Sequence, residues 1–212
     1  MRGLFITFEG PDGGGKSTQI RLLNEWLTAR GHEVLVTREP GGCKVAEEIR
    51  GLILDIRHTS MTPVTEALLY AAARAQHVEE VIAPALEAGK TVICDRFLDS
   101  SLAYQGAGRK LGFTTVADMN RHATHGLVPE ITFLCRINTE LSRLRVWGRS
   151  VPDRLESEKT DFQDRVLRGF DELARRYPER IKEIDAGRDI QMVYDEIIGH
   201  VRALLERREH GA

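Results

Sequence analysis

Gly10-Pro11-Asp12-Gly13-Gly14-Gly15-Lys16-Ser17 fits the pattern G-x-x-x-x-G-K-[ST], with Thr18 directly after it. Its surroundings give the match force. Leu4–Glu9 reads as a β-strand, and Lys16–Arg30 reads as a helix with Ile20, Leu23 and Leu27 on one face and Gly31 placed to end it. Between strand and helix, glycines let backbone N–H groups wrap a polyphosphate, and the helix N-terminus adds positive potential. Lys16 reaches the outer phosphates and Ser17 offers a hydroxyl to Mg²⁺. The loop is read as a nucleoside triphosphate site.

Working outward, short β-rich runs alternate with helical stretches. Further strands are predicted at Glu33–Thr37, Thr91–Asp95, Ile131–Ile137 and Ile181–Asp185. Helices are predicted over Val45–Leu54, from Thr65 towards Leu86, and from Ile190, with Val193, Ile197, Val201 and Leu204 at helical spacing and Asp189 as N-cap. Strands separated by helices imply a parallel sheet with right-handed crossovers. The expected architecture is a three-layer α/β/α sandwich on a five-stranded parallel sheet, a P-loop NTPase fold. The sequence is read as a single domain over 1–212, with no repeat or linker.

Composition bounds the function. Lysine plus arginine is 30 and aspartate plus glutamate 32, a net charge of −2 that argues against a general nucleic-acid or anionic-membrane binder. Twenty-four of the cations are arginine. Such a bias could mean phosphate handling, though genome composition explains it more simply. No apolar run approaches a membrane span, the N-terminus does not read as a signal peptide, and Cys43, Cys94 and Cys135 lack metal-ligand spacing. A cytoplasmic location is expected. A guanine-reading Asn-Lys-x-Asp is absent, and 212 residues leave little room for motor or transport modules. What remains is a small phosphotransferase.

The acceptor side is read from loops that follow strands, which in a parallel sheet meet over the ligand crevice. Thr37-Arg38-Glu39-Pro40-Gly41-Gly42 follows the second strand and Cys94-Asp95-Arg96-Phe97 closes the third. Arg38, Asp95 and Arg96 therefore face the same cleft as the glycine-rich loop. Tyr70 and Arg74 stand at i and i+4. Read alone, they are a packed tyrosine beside an exposed arginine.

Together, FEGPDGGGKST, TREPGG, YAAARAQH, CDRFLDSSLAYQGAGR and PDRLE resemble the thymidylate kinases, in that order and over nearly the whole chain. The resemblance implies ATP as donor, dTMP as acceptor, Mg²⁺ as cofactor and a homodimer. It assigns ATP to Gly10, Pro11, Asp12, Gly13, Gly14, Gly15, Lys16, Ser17 and Thr18. It stacks thymine on Tyr70, bonds the base to Arg74 and Ser101, and lines the deoxyribose side with Tyr104 and Gln105. Arg38 and Arg96 would hold the dTMP phosphate, with Asp12, Pro40 and Arg50 bordering that pocket. Ser17, Asp12 and Asp95 would organise Mg²⁺, partly through water. A cis peptide between Glu39 and Pro40 is also implied.

Arg143, Arg145, Arg149 and Arg154 crowd the stretch after the fourth strand. They are either a solvated cationic face or a lid, about residues 145–158, over the transferring group. Some thymidylate kinases carry an arginine inside the phosphate loop. Gly13 stands there in this chain, as in the bacterial type whose lid supplies the charge, so Arg149 and Arg154 are expected to join Lys16, Asp95 and Arg96 in catalysis. Two departures are visible: Cys43 replaces a common threonine, and Arg136 replaces a common acid or amide and is left outside the site. A different deoxynucleotide or deoxynucleoside kinase, or an ATP-binding regulator that transfers nothing, are the rival readings.

Overall fold

The structure is a computed structural model and describes residues 2–138, 154–155, 158 and 160–210. Its elements in order are β1 (Phe5–Glu9), α1 (Lys16–Thr28), β2 (Val34–Arg38), α2 (Lys44–Leu54), α3 (Pro63–His77), a π-helical turn (Val78–Ile82), α4 (Ala83–Glu87) and β3 (Thr91–Asp95). Then come α5 (Leu98–Ser101), a second π-helical turn (Leu102–Gly108), α6 (Phe113–Asn120), β4 (Ile131–Arg136), α7 (Thr160–Arg176), β5 (Ile181–Asp185) and α8 (Ile190–His210). The five strands form one parallel sheet in the order β2-β3-β1-β4-β5. This is the expected three-layer α/β fold.

Alternation along the strands builds the two helical layers. Ile6 and Phe8 of β1 join Ile20, Leu23 and Leu27 of α1 and Val193, Ile197 and Val201 of α8 on one face. Phe5, Val92 and Cys94 face the other way, onto Val78, Ile82 and Leu86. On that second face α7 packs on the π-helical turn at Leu102–Gly108, where Leu102 and Ala103 meet Phe162, Val166 and Phe170. A Cβ at Gly169 would lie 3.1 Å from the Ala103 Cα, and one at Gly108 would lie 2.7 Å from the Phe162 ring, so both glycines permit the close approach.

Strand limits fall within a residue of those read from sequence. Gly31 takes φ 84° after α1, and Asp189 accepts from the Gln191 N–H at 2.8 Å as the expected cap. The helical stretch read from Thr65 towards Leu86 is present with a local change of pitch: α3 runs to His77, the chain widens to a π-turn, and α4 resumes at Ala83. Pro84 has no N–H to give to the preceding turn, which disfavours an unbroken α-helical ladder there. Cys94 and Cys135 are buried core thiols and Cys43 precedes α2. No helix among the described residues is long and apolar enough to cross a membrane.

Candidate active site

The glycine-rich loop leaves β1 with Gly10 at φ 118°, and a Cβ there would lie 2.4 Å from the Cys135 carbonyl. Gly13 and Gly15 take φ 74° and 76°, conformations glycine adopts without a Cβ penalty. Gly14 donates to the Pro11 carbonyl at 3.3 Å, closing the turn. Gly15 caps α1 without a side-chain bond, and the first turn carries no acid. Its opening N–H groups, and the hydroxyls of Ser17 and Thr18 behind them, are thus arranged for an anion. Lys16 is buried and folds back over the loop, donating to the Gly10 carbonyl at 3.1 Å and the Pro11 carbonyl at 2.9 Å. Burial, with Arg96 nearby, lowers its pKa, partly offset by Asp95 and Asp12.

Arg96 joins this loop to the acceptor side. It is a non-glycine residue at φ 68°, held there by its N–H donating to the Phe8 carbonyl at 2.8 Å. Its Nη2 donates to Asp12 Oδ1 at 2.8 Å and its Nη1 to Ser100 Oγ at 3.3 Å, and the guanidinium lies 5.4 Å from the Tyr104 ring centre. Burial works against charge on Asp12, but Arg96, Lys16 and Arg50 outweigh it and hold the carboxyl at about 2. Burial pushes the Tyr104 hydroxyl up to about 12, leaving it protonated as a donor.

The donor set suits Mg²⁺. Asp95 Oδ1 is buried without a hydrogen-bond partner among the described residues, a cost that a cation or its water would relieve. Asp12 is ionised and Ser17 is exposed at the head of α1. Among the described residues no three His, Cys, Asp or Glu side chains form a metal cage. An ion here would therefore lean on phosphate oxygens, as Mg²⁺ does in phosphoryl-transfer sites.

On the acceptor side, Arg38 Nη1 at 2.9 Å and Arg50 Nη1 at 2.8 Å both donate to the Pro40 carbonyl. The Glu39–Pro40 peptide is cis. Arg38 also donates to Glu47 at 2.9 Å, and Glu47 accepts from the Gly42 N–H at 2.8 Å. Gly42 takes φ 90°, and a Cβ there would lie 2.3 Å from His77 Nε2.

Arg74 corrects the reading of its pair with Tyr70 as an exposed arginine, being only 2% exposed. It donates from Nε to Glu39 at 2.7 Å, from Nη1 to Asn120 Oδ1, and from Nη2 to the Phe97 carbonyl at 3.1 Å and Ser101 Oγ at 3.0 Å. Glu39 also bonds His77 Nδ1 at 3.1 Å, and His77 Nε2 meets Thr37 Oγ1 at 2.7 Å. Tyr70 is half-buried against the Leu102–Phe170 cluster. Gln105 Nε2 donates to the buried Glu66 at 2.9 Å, while its Oε1 is buried without a hydrogen-bond partner among the described residues.

Arg149 and most of the predicted lid lie outside the described residues. Arg154 is described, and its contacts run to Glu66 at 2.7 Å and the Ile53 carbonyl at 2.9 Å. It thus joins Gln105 and Arg109 around one carboxylate rather than Lys16 and Asp12. Arg136 pairs with Asp171 at 2.6 Å and Glu183 at 2.5 Å. The buried acids Glu9, Glu39 and Glu66, and Asn120, were not singled out from sequence. Arg74, Ser100 and Gln105, which bind them, stand 35 to 91 residues away, beyond any local pattern.

Residues 8–197 match a sequence model described as thymidylate kinase. The chain is 48% identical to a thymidylate kinase of an Exiguobacterium species over 100% of its length and 98% of that protein. It is 44% identical to the thymidylate kinase of Bacillus licheniformis, over 99% and 100% of the two chains. The crystal structure of thymidylate kinase from Ehrlichia chaffeensis superposes with a TM-score of 0.78 at 33% identity, covering 95% of this chain and 99% of that one. A loop, a sheet and an arginine-rich cleft of this kind, carried by so close a sequence, make the chain a member of the thymidylate kinase family.

Proposed function

We propose that this chain transfers the γ-phosphoryl group of ATP to dTMP, giving dTDP and ADP. The observation that carries this reading is the placement of Arg96. One side of its guanidinium holds Asp12 of the phosphate loop, and the other reaches Ser100, whose neighbour Ser101 bonds Arg74. A donor-phosphate cradle and a deep arginine suited to a planar base edge are thereby joined by one residue.

The acceptor oxygen of dTMP is already anionic near neutral pH, so the reaction needs no strong general base. It needs two crowded anions held in line while an O–P bond forms to the acceptor and the bond from Pγ to the β–γ bridging oxygen breaks. Lys16 and the α1 N-terminus hold the donor phosphates. Arg38, Arg50 and Arg96 receive the acceptor phosphate, with Asp12 fixing Arg96. Tyr70 stacks on thymine, Arg74 and Ser101 meet its edge, and Tyr104 and Gln105 crowd the sugar where a ribose would need room for its 2′-hydroxyl. Ser17, Asp12 and Asp95 would hold Mg²⁺, which when bound neutralises charge on the phosphates. Arg149 and Arg154 stand as the cations that cover the transferring group, Arg154 exchanging its Glu66 partner to do so.

The apolar stripes of α2 and α3 support a homodimer. Val45 and Leu52 on α2, Ile56 just beyond its end, and Val64 and Leu68 on α3 are exposed, on two helices that pack against each other. A coupled assay for dTDP with dTMP as the only acceptor tests the function. Turnover on dTMP far above that on dUMP, dCMP, dGMP and thymidine is expected. Binding of ATP without transfer would leave the regulator reading instead.

A further inference from the structure

Glu9 is the last residue of β1, wholly buried, and the mechanism above gives it no part. A buried carboxyl group is costly unless its oxygens are used. Both are used, and both on the segment that carries Arg96. Oε1 accepts the Phe97 N–H at 2.8 Å and Oε2 accepts the Ser100 hydroxyl. Ser100 Oγ in turn accepts Arg96 Nη1 at 3.3 Å. Phe8, one residue before Glu9, takes the Arg96 N–H. Arg96 is therefore gripped from two places that bracket the root of the phosphate loop, Phe8 and Glu9 before it and Asp12 within it. The left-handed backbone at Arg96 needs such a grip, because a side chain there has no intrinsic preference for φ 68°.

We infer that Glu9 is a positioning residue that aims Arg96 between donor and acceptor phosphates, acting through the Phe97 N–H and the Ser100 hydroxyl. This rests on the phosphoryl-transfer reading. An apolar side chain would fill the same space but would strand both donors.

The test uses Glu9→Ala, Glu9→Gln and Ser100→Ala in the full chain, with ATP, Mg²⁺ and dTMP. Glu9→Ala is expected to lower kcat by about 10- to 100-fold, because small misplacements of a charged group are costly, while KM for ATP moves less than about 3-fold. Glu9→Gln, whose amide can accept from Phe97 and donate to Ser100, is expected to stay within about 3-fold of wild type. Ser100→Ala is expected to lower kcat as well, and Glu9→Ala to cost nothing further in an Arg96→Ala background. Crystal structures of wild type and Glu9→Ala should show the Arg96 guanidinium leaving residue 100. Wild-type kcat in Glu9→Ala, or additive losses with Arg96→Ala, would overturn the inference. If Glu9→Ala does not fold, a wild-type kcat in Ser100→Ala overturns it. An inactive wild type sinks the functional reading, and the position of Arg96 in crystals of Glu9→Gln and Ser100→Ala then decides this inference: an unmoved Arg96 in Ser100→Ala overturns it.

Discussion

Asp12 accepts from Arg96 Nη2 at 2.8 Å and lies 3.8 Å from Lys16 Nζ, so one carboxylate balances two cations drawn from opposite sides of the cleft. The remaining positive charge is what phosphate oxygens would meet. Lys16→Ala and Arg96→Ala are each expected to lower kcat by about 10²- to 10³-fold, the range found when one preorganised donor to a developing charge is removed. Circular dichroism should show both variants folded. Full dTMP phosphorylation by either would refute the roles given to them.

Arg74 is expected to fail differently. Its removal strips partners from Glu39, Asn120 and Ser101 at once, in a site where the Arg74 and Glu39 side chains are only 2% and 3% exposed. Breaking a buried pair from one side costs about 3–5 kcal/mol. Urea unfolding of Arg74→Ala should show that loss. Arg74→Lys should recover little of it, since an ammonium cannot reproduce the fork that reaches four partners.

The pH dependence of stability should carry the signature of Glu9. Burial and the neighbouring Asp99 raise its pKa to about 8, against the opposing pull of Ser100, Arg96 and the Phe97 N–H. The unfolded chain would titrate it near 4.5. Between these values the folded state holds more protons than the unfolded one, so stability falls as pH rises. Comparing Tm for wild type and Glu9→Gln from pH 5 to 8.5 should show the wild type losing ground steadily. A constant difference across that window would remove this account.

The α2–α3 face offers a test of assembly. Leu52 and Leu68 are 49% and 51% exposed. Wild type is expected to sediment as a dimer, and Leu52→Arg with Leu68→Arg as a monomer. A monomeric wild type at micromolar concentration rejects the homodimer.

Arg136 should be nearly silent. Its acidic partners are 46% and 52% exposed, so Arg136→Ala should cost less than about 1 kcal/mol and leave kcat within about 2-fold of wild type. A larger fall in kcat would bring this strand end into the site.

The sheet and the loop were legible because their signals are local: short, nearly all-apolar strand runs, apolar helix faces, and glycines where backbone must approach a ligand. The π-helical turns at Val78–Ile82 and Leu102–Gly108 were not, since a widened turn has no composition of its own. Read without the resemblance, Arg74 passes for an exposed side chain for a related reason. Its i, i+4 neighbour says which face it shares, but Glu39, Asn120 and Ser101 make that face an interior one. Glu9 looked like the polar end of a strand, and only folding brings Phe97 and Ser100 against it.

The register between β1 and β3, with Phe8 opposite Asp95, has a consequence for how this scaffold can change. The residues proposed for the donor and acceptor sides leave the sheet at the tips of two adjacent strands, spaced by about 4.8 Å like any neighbours in a sheet. On the proposed reading, the backbone itself would be the gauge for the gap between the two phosphates. Loops and side chains can be recut for another base or sugar, but that gauge cannot be lengthened without moving a whole strand. Variants of this chain should therefore exchange acceptors far more readily than they alter the reach of the transfer.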